Sequence, residues 1–182
     1  MITYVALLRG INVGGKHLLP MEELREILAA LGCENVRTYI QSGNAVFVSD
    51  SDRDALTSEI RSAIEKRFGF SPKILLLSSE RLVEIAASNP FPEAEKNPKF
   101  LHVWFLADRP LNPDLVKLGN TKTNSEEFSL GEGAFYLYTP DGLGRSKLAG
   151  QVEKCLGVDV TARNWRTVVK LLELASANSM DH

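Results

Sequence analysis

The stretch ITYVALLRGINVGGK, residues 2–16, holds the first predicted strand and the most unusual loop of this 182-residue chain. Ile2–Leu8 is a continuous apolar run, which is typical of a buried strand. The segment Arg9–Lys16 then combines glycines with two cations and an amide. Glycines let backbone N–H groups turn outward, and cations supply positive charge. The stretch therefore indicates where a ligand site is to be sought.

The nearest mechanistic motif is the phosphate-binding P-loop, and Gly10 to Lys16 has its spacing. His17 replaces the hydroxyl residue that would hold magnesium, and Leu18, Leu19 and Pro20 delay the next helix. These departures disfavour an NTPase. A looser anion-binding loop and a purely structural glycine turn both stay open.

Apolar periodicity in residues 1–78 predicts the order β-α-β-β-α-β, the ferredoxin-like pattern. Ser42-Gly43-Asn44 is a hairpin signal between the second and third strands. The expected strands are Ile2–Leu8, Val36–Ile40, Ala45–Val48 and Lys73–Leu77, and the expected helices cover Pro20–Leu31 and residues 52–68.

Residues 79–99 are predicted to form a helix and a connector, and residues 100–182 a second ferredoxin-like half with a C-terminal helix. The fold class is therefore α+β, with tandem ferredoxin-like halves, antiparallel sheets and extra helices. The expected strands are Phe100–Leu106, Glu126–Leu130, Ala134–Tyr138 and Val158–Thr161, and the expected helices run from Asn112-Pro113 to Gly119, over Lys147–Leu156 and over Asn164–Ala175.

Five motifs occur in order along the chain: LLRGINVGGK (7–16), YIQSGN (39–44), NPF (89–91), PDGLGRSKL (140–148) and TARNWRTV (161–168). Together they resemble the bacterial domain-of-unknown-function family 1697. The resemblance implies a cytoplasmic bacterial protein with an α+β fold. It implies no activity and supplies no catalytic residues.

Two clusters of candidate ligand-binding residues follow from the predicted topology. The loop after the first strand and the hairpin between the second and third strands share one end of a sheet. In the second half, the start of the Lys147–Leu156 helix and the exit of the last strand share the opposite end. The first cluster is Arg9, Asn12, Gly14, Gly15, Lys16, Ser42 and Asn44, and the second is Arg145, Ser146, Lys147, Arg163 and Asn164.

Each cluster also has a purely structural interpretation. Ser146 is suited to be a helix cap, and so is the Thr161–Asn164 segment, which precedes a tryptophan on a buried stripe. We further expect the N–H groups of Gly14, Gly15 or Lys16 to face an open concavity, and the two clusters to line one shared groove.

Composition bounds the function classes. A net charge of −2 argues against a general nucleic-acid binder, although it allows a local basic patch. Cys33 and Cys155 are far apart and are expected to be buried thiols, and the histidines share no metal-ligand spacing. We expect no metal, no cofactor and no membrane partner, and the chain lacks a leader pattern.

The sequence thus favours binding of a small phosphate- or carboxylate-bearing ligand, with or without catalysis. Single-stranded nucleic-acid binding is an alternative, because ferredoxin-like sheets include the RNA-recognition fold. Asn44–Val48 offers only Phe47 where several stacking rings are expected. A protein-interaction module is the third hypothesis.

Overall fold

A computed structural model describes residues 1–180 and divides the chain into two compact units. The first unit is Met1–Val83 with Lys170 and the residues after it, and the second is Glu84–Val169. Each unit contains one four-stranded antiparallel sheet, with strand orders β2-β3-β1-β4 and β6-β7-β5-β8. These equivalent orders confirm the α+β class and the β-α-β-β pattern in both halves.

The first unit follows the predicted order closely. The helix α2 begins where the Asp52 carboxylate accepts the N–H groups of Asp54 and Ala55, and it ends at Gly69 in a left-handed conformation (φ 75°). The elements are β1 (Ile2–Arg9), α1 (Met21–Ala30), β2 (Glu34–Tyr39), β3 (Asn44–Ser49), α2 (Arg53–Phe68), β4 (Lys73–Ser78) and α3 (Ser79–Ala87), whose last residues belong to the second unit.

Both faces of β1 and β3, the two central strands of the first sheet, are buried. Alternate residues of β1, Tyr4, Ala6 and Leu8, join a core with α1 and α2. Val5 and Leu7 point to the opposite face, and each is 0 % exposed. These two central strands therefore offer no open face of the kind on which RNA-recognition folds stack bases.

In the second unit, Pro90 follows the end of α3, and a 3₁₀ helix occupies Pro92–Lys96. Trp104 and Leu106 of β5 pack with α4 and α5, while Val103 and Phe105 are buried on the other face. The Tyr136 hydroxyl, also on that face, donates to the Ile85 carbonyl (2.6 Å). The remaining elements are β5 (Leu101–Leu106), α4 (Leu115–Thr121), β6 (Glu127–Leu130), β7 (Ala134–Tyr138), α5 (Val152–Leu156), β8 (Val160–Asn164) and α6 (Trp165–Met180), which belongs to the first unit from Lys170 onward.

Four elements predicted for the second half have bounds that differ from those in the structure. The helix expected at Lys147–Leu156 is a 3₁₀ turn at Ala149–Gln151 followed by the five-residue α5. Gly150 within this stretch weakens helix formation. The closing strand continues to Asn164, so α6 begins one residue later than expected. The short helix α4 begins after Asp114, whose carboxylate accepts the Lys117 N–H, and it continues beyond Gly119.

Candidate anion-binding site

The glycine-rich loop after β1 folds as a small projecting hairpin. The Lys16 N–H donates to the Val13 carbonyl, and the Asn12 N–H donates to the His17 carbonyl, both at 3.1 Å. Gly14 and Gly15 at the tip have φ of 58° and 73°. Two positive φ angles in a two-residue loop define a type I′ turn, which glycine adopts without steric cost. This hairpin differs from a P-loop, in which the lysine directly opens a helix.

The side chain of Asn12 connects the hairpin to its surroundings. Its Nδ2 donates to the Leu19 carbonyl (2.9 Å) and the Gln41 carbonyl (2.8 Å), and its Oδ1 accepts the Leu19 N–H (2.8 Å). The amide thereby joins the two ends of the loop to the β2–β3 turn. Asn12 itself has a φ of 54°, a left-handed conformation that asparagine tolerates better than most residues. We therefore assign Asn12 to positioning rather than to ligand contact.

His17 forms a second attachment at the far end of the hairpin. Its ring stacks on Phe70 with centroids 4.7 Å apart, and its Nδ1 lies 3.0 Å from the Gly10 carbonyl. The residue has a φ of 51°. A non-glycine residue in this region carries strain that the surrounding contacts must offset. The hairpin is therefore held at both ends.

The β2–β3 turn lies beside the hairpin, as the topology predicts. The Leu8 N–H donates to the Gly43 carbonyl (2.8 Å). A Cβ on Gly43 would lie 2.7 Å from Ile11 Cδ1, so only glycine fits. Asn44 is buried, and its Nδ2 donates to the Tyr39 carbonyl and to the Ser42 hydroxyl, both at 3.0 Å. Asn44 therefore stabilises the turn.

The groups that remain accessible are at the hairpin tip. Gly14, Gly15 and Lys16 are all exposed, and the N–H groups of the two glycines donate to no described residue. No described residue pairs with the Lys16 ammonium group either. The Lys16 N–H, by contrast, closes the turn. Arg9 lies at the end of β1 opposite Lys73, where it makes its own contacts.

The second cluster uses most of its polar groups internally. The Ser146 hydroxyl accepts the Ala149 N–H (3.0 Å), and Asn164 Oδ1 accepts the Thr167 N–H (2.9 Å). Asn164 is a helix cap, which was the structural interpretation of its motif, whereas Ser146 closes the turn that precedes the 3₁₀ segment and caps no helix. Arg163 Nη1 donates to the Ala162 carbonyl (2.8 Å), and burial lowers the pKa of its guanidinium to about 10.

Arg145 and Lys147 are the exposed cations of the second cluster. β7 and β8 both end where β5 begins, since Tyr138 pairs with Leu101 and Asn164 pairs with His102. The exit of β8 and the segment after β7 therefore share one edge, as expected. The helix α5 has only five residues, however, and it begins five residues after Lys147. The electrostatic reason for expecting an anion beside Lys147 is thus removed.

A comparison with family models identifies the chain. The family described as "Protein of unknown function (DUF1697)" matches residues 1–136. The chain belongs to this family. The match covers the hairpin and the β2–β3 turn, and it ends within β7.

The DUF1697 chain is also similar to a solved structure, a conserved bacterial protein, SP0830, from Streptococcus pneumoniae. The two chains share 23 % identity with a TM-score of 0.77, and the alignment covers 96 % of this chain and 98 % of the other. At this identity the likeness concerns the fold alone. None of the curated proteins matches the chain.

Other candidates for ligand contact or catalysis in this DUF1697 chain are side chains that the structure buries. His102 lies in β5 and is 7 % exposed, and Trp165, which was predicted to lie on a buried stripe, is 4 % exposed. Cys33 is buried, which raises the pKa of its thiol to about 11 and keeps it protonated. Within residues 1–180 no three His, Cys, Asp or Glu side chains are grouped to hold a metal ion, and no described helix is long and apolar enough to span a membrane.

Sequence reasoning missed the residues that shape the hairpin edge. Phe70 is separated from His17 by two helices and two strands, so their contact has no local signal. Gln41 contributes only its carbonyl, which any residue would supply. The exposed apolar side chains of Val13, Leu18 and Ile40 were also overlooked. Their clustering is visible only once the hairpin and the turn are known to be adjacent.

Proposed function

We propose that the chain binds a small phosphate- or carboxylate-bearing ligand at the tip of the Asn12–His17 hairpin. The observation that carries this proposal is that the exposed N–H groups of Gly14 and Gly15 have no described acceptor and that no described residue pairs with the neighbouring Lys16 ammonium. Consecutive backbone N–H groups and a cation are the usual elements of an anion-binding loop. The Asn12 amide holds these donors in position before the ligand arrives, which reduces the entropic cost of binding.

Local charge supports the same conclusion. The loops at this edge of the first sheet, residues 9–20, 40–43 and 69–73, contain Arg9, Lys16 and Lys73 but no Asp or Glu. The whole chain has a net charge of −2. A positive edge on a negative protein concentrates anions at that edge. The proposal assigns no reaction and rests on the first cluster alone.

Titration of ¹⁵N-labelled protein with methyl phosphate and with acetate tests this function. We expect the amide resonances of Gly14 and Gly15 to shift most, with saturation. Lys16→Ala should weaken binding about five- to tenfold, since an exposed charge-assisted contact contributes roughly 1 kcal/mol. Lys66→Ala is the matched control, because Lys66 is an exposed lysine of the same unit. Equal effects of the two substitutions, or shifts confined to other residues, would contradict the proposal.

Nucleic-acid binding is the alternative that the same titration separates. Burial of both faces of the central strands β1 and β3 argues against base stacking there. Single-stranded RNA and DNA at low salt provide the direct comparison. Tight binding that falls steeply with added salt would favour the nucleic-acid alternative, because phosphate contacts release counterions.

A further inference from the structure

The hairpin edge combines its positive charge with an unusual amount of exposed apolar surface. Val13, Leu18 and Ile40 are 69 %, 61 % and 50 % exposed. Val13 and Leu18 flank the Gly14–His17 segment, and Ile40 precedes Gln41, whose carbonyl is bound by Asn12. Ile40 also has a φ of 49°, which is costly for a β-branched residue. Exposed apolar side chains thus lie within the hairpin, directly after it and in the β2–β3 turn that Asn12 joins to it.

Val13 and Lys16 form a direct antiparallel pair across the hairpin. Residues paired in this way project their side chains from the same face, with Cβ atoms about 5 Å apart. An isopropyl group and an ammonium group therefore lie side by side on one exposed face. A ligand whose anionic group contacts Lys16 would lay its adjoining part against Val13.

We infer that the ligand of this site is an amphiphilic anion, in which a phosphate or carboxylate group is attached to an apolar body. The inference rests on the proposed function, because it requires the anion to bind at Gly14–Lys16. The cations of the edge and its lack of Asp and Glu select the anionic group. Val13 and Leu18 select the apolar body, since burying them removes apolar surface from water.

A series of methyl, butyl and hexyl phosphate tests the inference by calorimetry and amide titration below the micelle concentration. The wild-type protein should bind hexyl phosphate about tenfold more tightly than methyl phosphate, because several methylenes become partly buried. The Val13→Ser/Leu18→Ser variant should bind the three compounds equally, with an unchanged affinity for methyl phosphate.

The matched control is the Leu111→Ser/Val116→Ser variant. It replaces the same two residue types at positions that are 87 % and 75 % exposed in the second unit. This control should keep the tenfold dependence on chain length. Circular dichroism checks that all variants fold.

The outcomes separate this inference from the proposed function. If methyl phosphate binds at Gly14–Lys16 but the affinity is independent of alkyl chain length, the inference of an amphiphilic ligand is wrong and the proposed anion binding stands. If no phosphate binds, the proposed function fails and the inference fails with it. A chain-length dependence that survives in Val13→Ser/Leu18→Ser also overturns the inference. If the wild-type protein sediments with phosphatidate vesicles and the Val13→Ser/Leu18→Ser variant does not, the ligand is a lipid surface rather than a soluble amphiphile.

Discussion

The two polar clusters contain similar residue types, yet they use them in opposite ways. In the first cluster, Asn12 bonds to backbone groups of the loop and of a neighbouring turn. The N–H groups of Gly14 and Gly15 in the same loop have no described acceptor. In the second cluster, Asn164 accepts the Thr167 N–H and so satisfies a donor at the start of α6. Asn12 therefore positions the hairpin, whereas Asn164 satisfies a backbone donor of the helix that follows it.

The difference shows that glycine and cation content alone does not identify an anion site. The hydrogen-bond partners of each backbone N–H group must be counted. Ser146 and Asn164 both accept N–H groups of the turns that follow them, so those donors are unavailable to a ligand. Arg163 is largely buried, whereas Lys16 is exposed. Substitutions in the two clusters should therefore differ in what they disturb.

The largest expected effect is at Gly43, which joins the β2–β3 turn to the hairpin loop. Gly43→Ala should lower the free energy of unfolding by about 3 kcal/mol, because its Cβ would collide with Leu8 and Ile11 and its φ is 82°. Thermal unfolding should show a loss of roughly 6–12 °C. Gly119→Ala is the control, since no atom lies within 4 Å of its Cβ and it is helical. Equal melting temperatures would contradict the close contact.

Asn12 comes next, because three backbone groups depend on its amide. Asn12→Ala should cost about 2–3 kcal/mol in urea unfolding, since it leaves the Leu19 and Gln41 groups without their partner. Asn12→Gly retains the positive φ and so isolates the loss of hydrogen bonds. Both variants should also weaken methyl phosphate binding, because the hairpin loses its attachment. Unchanged stability would show that the amide does not support the loop.

Much of the fold could be predicted from the sequence because its signals are local. The apolar run of β1, the glycine stop of α2 and the Ser42-Gly43-Asn44 hairpin signal each depend on a few adjacent residues. Their order then implies the strand arrangement. The prediction of a Lys147–Leu156 helix is wrong, because apolar spacing alone does not include the helix-weakening effect of Gly150.

The candidate site was predicted less completely, for a different physical reason. The sequence located the hairpin and its neighbour turn, but it did not reveal which polar groups bond internally. Asn12 donates to the carbonyl of Gln41, which lies 29 positions further along the chain. The left-handed φ of Asn12 also has no signal in the amino-acid composition. Such roles depend on long-range partners, so they require the fold before they can be assigned.

The capping role of Asn164 predicts a smaller and purely structural effect. Asn164→Ala should lower the free energy of unfolding by about 1 kcal/mol, the usual cost of removing a helix cap. Asn164→Ser keeps an acceptor oxygen and should restore most of this stability. Neither variant should change the affinity for methyl phosphate. A loss of phosphate affinity in Asn164→Ser would instead indicate that the second cluster takes part in ligand binding.

The smallest effect concerns His102, which occupies the place in β5 that Tyr4 occupies in β1. Each pairs with the last residue of an edge strand, but the Tyr4 hydroxyl donates to the Ser51 carbonyl whereas His102 Nδ1 has no described partner. Burial lowers the pKa of His102, an effect that an interaction with the Phe100 backbone partly opposes. The unfolded chain therefore takes up this proton at a higher pH than the folded chain. Stability should accordingly fall as pH drops through and below about 6.5, the ordinary histidine pKa.

Urea unfolding of wild type and His102→Leu between pH 7.5 and 5 measures this contribution, and the variant should show a shallower loss. Identical pH profiles would mean that His102 binds its proton equally well in both states.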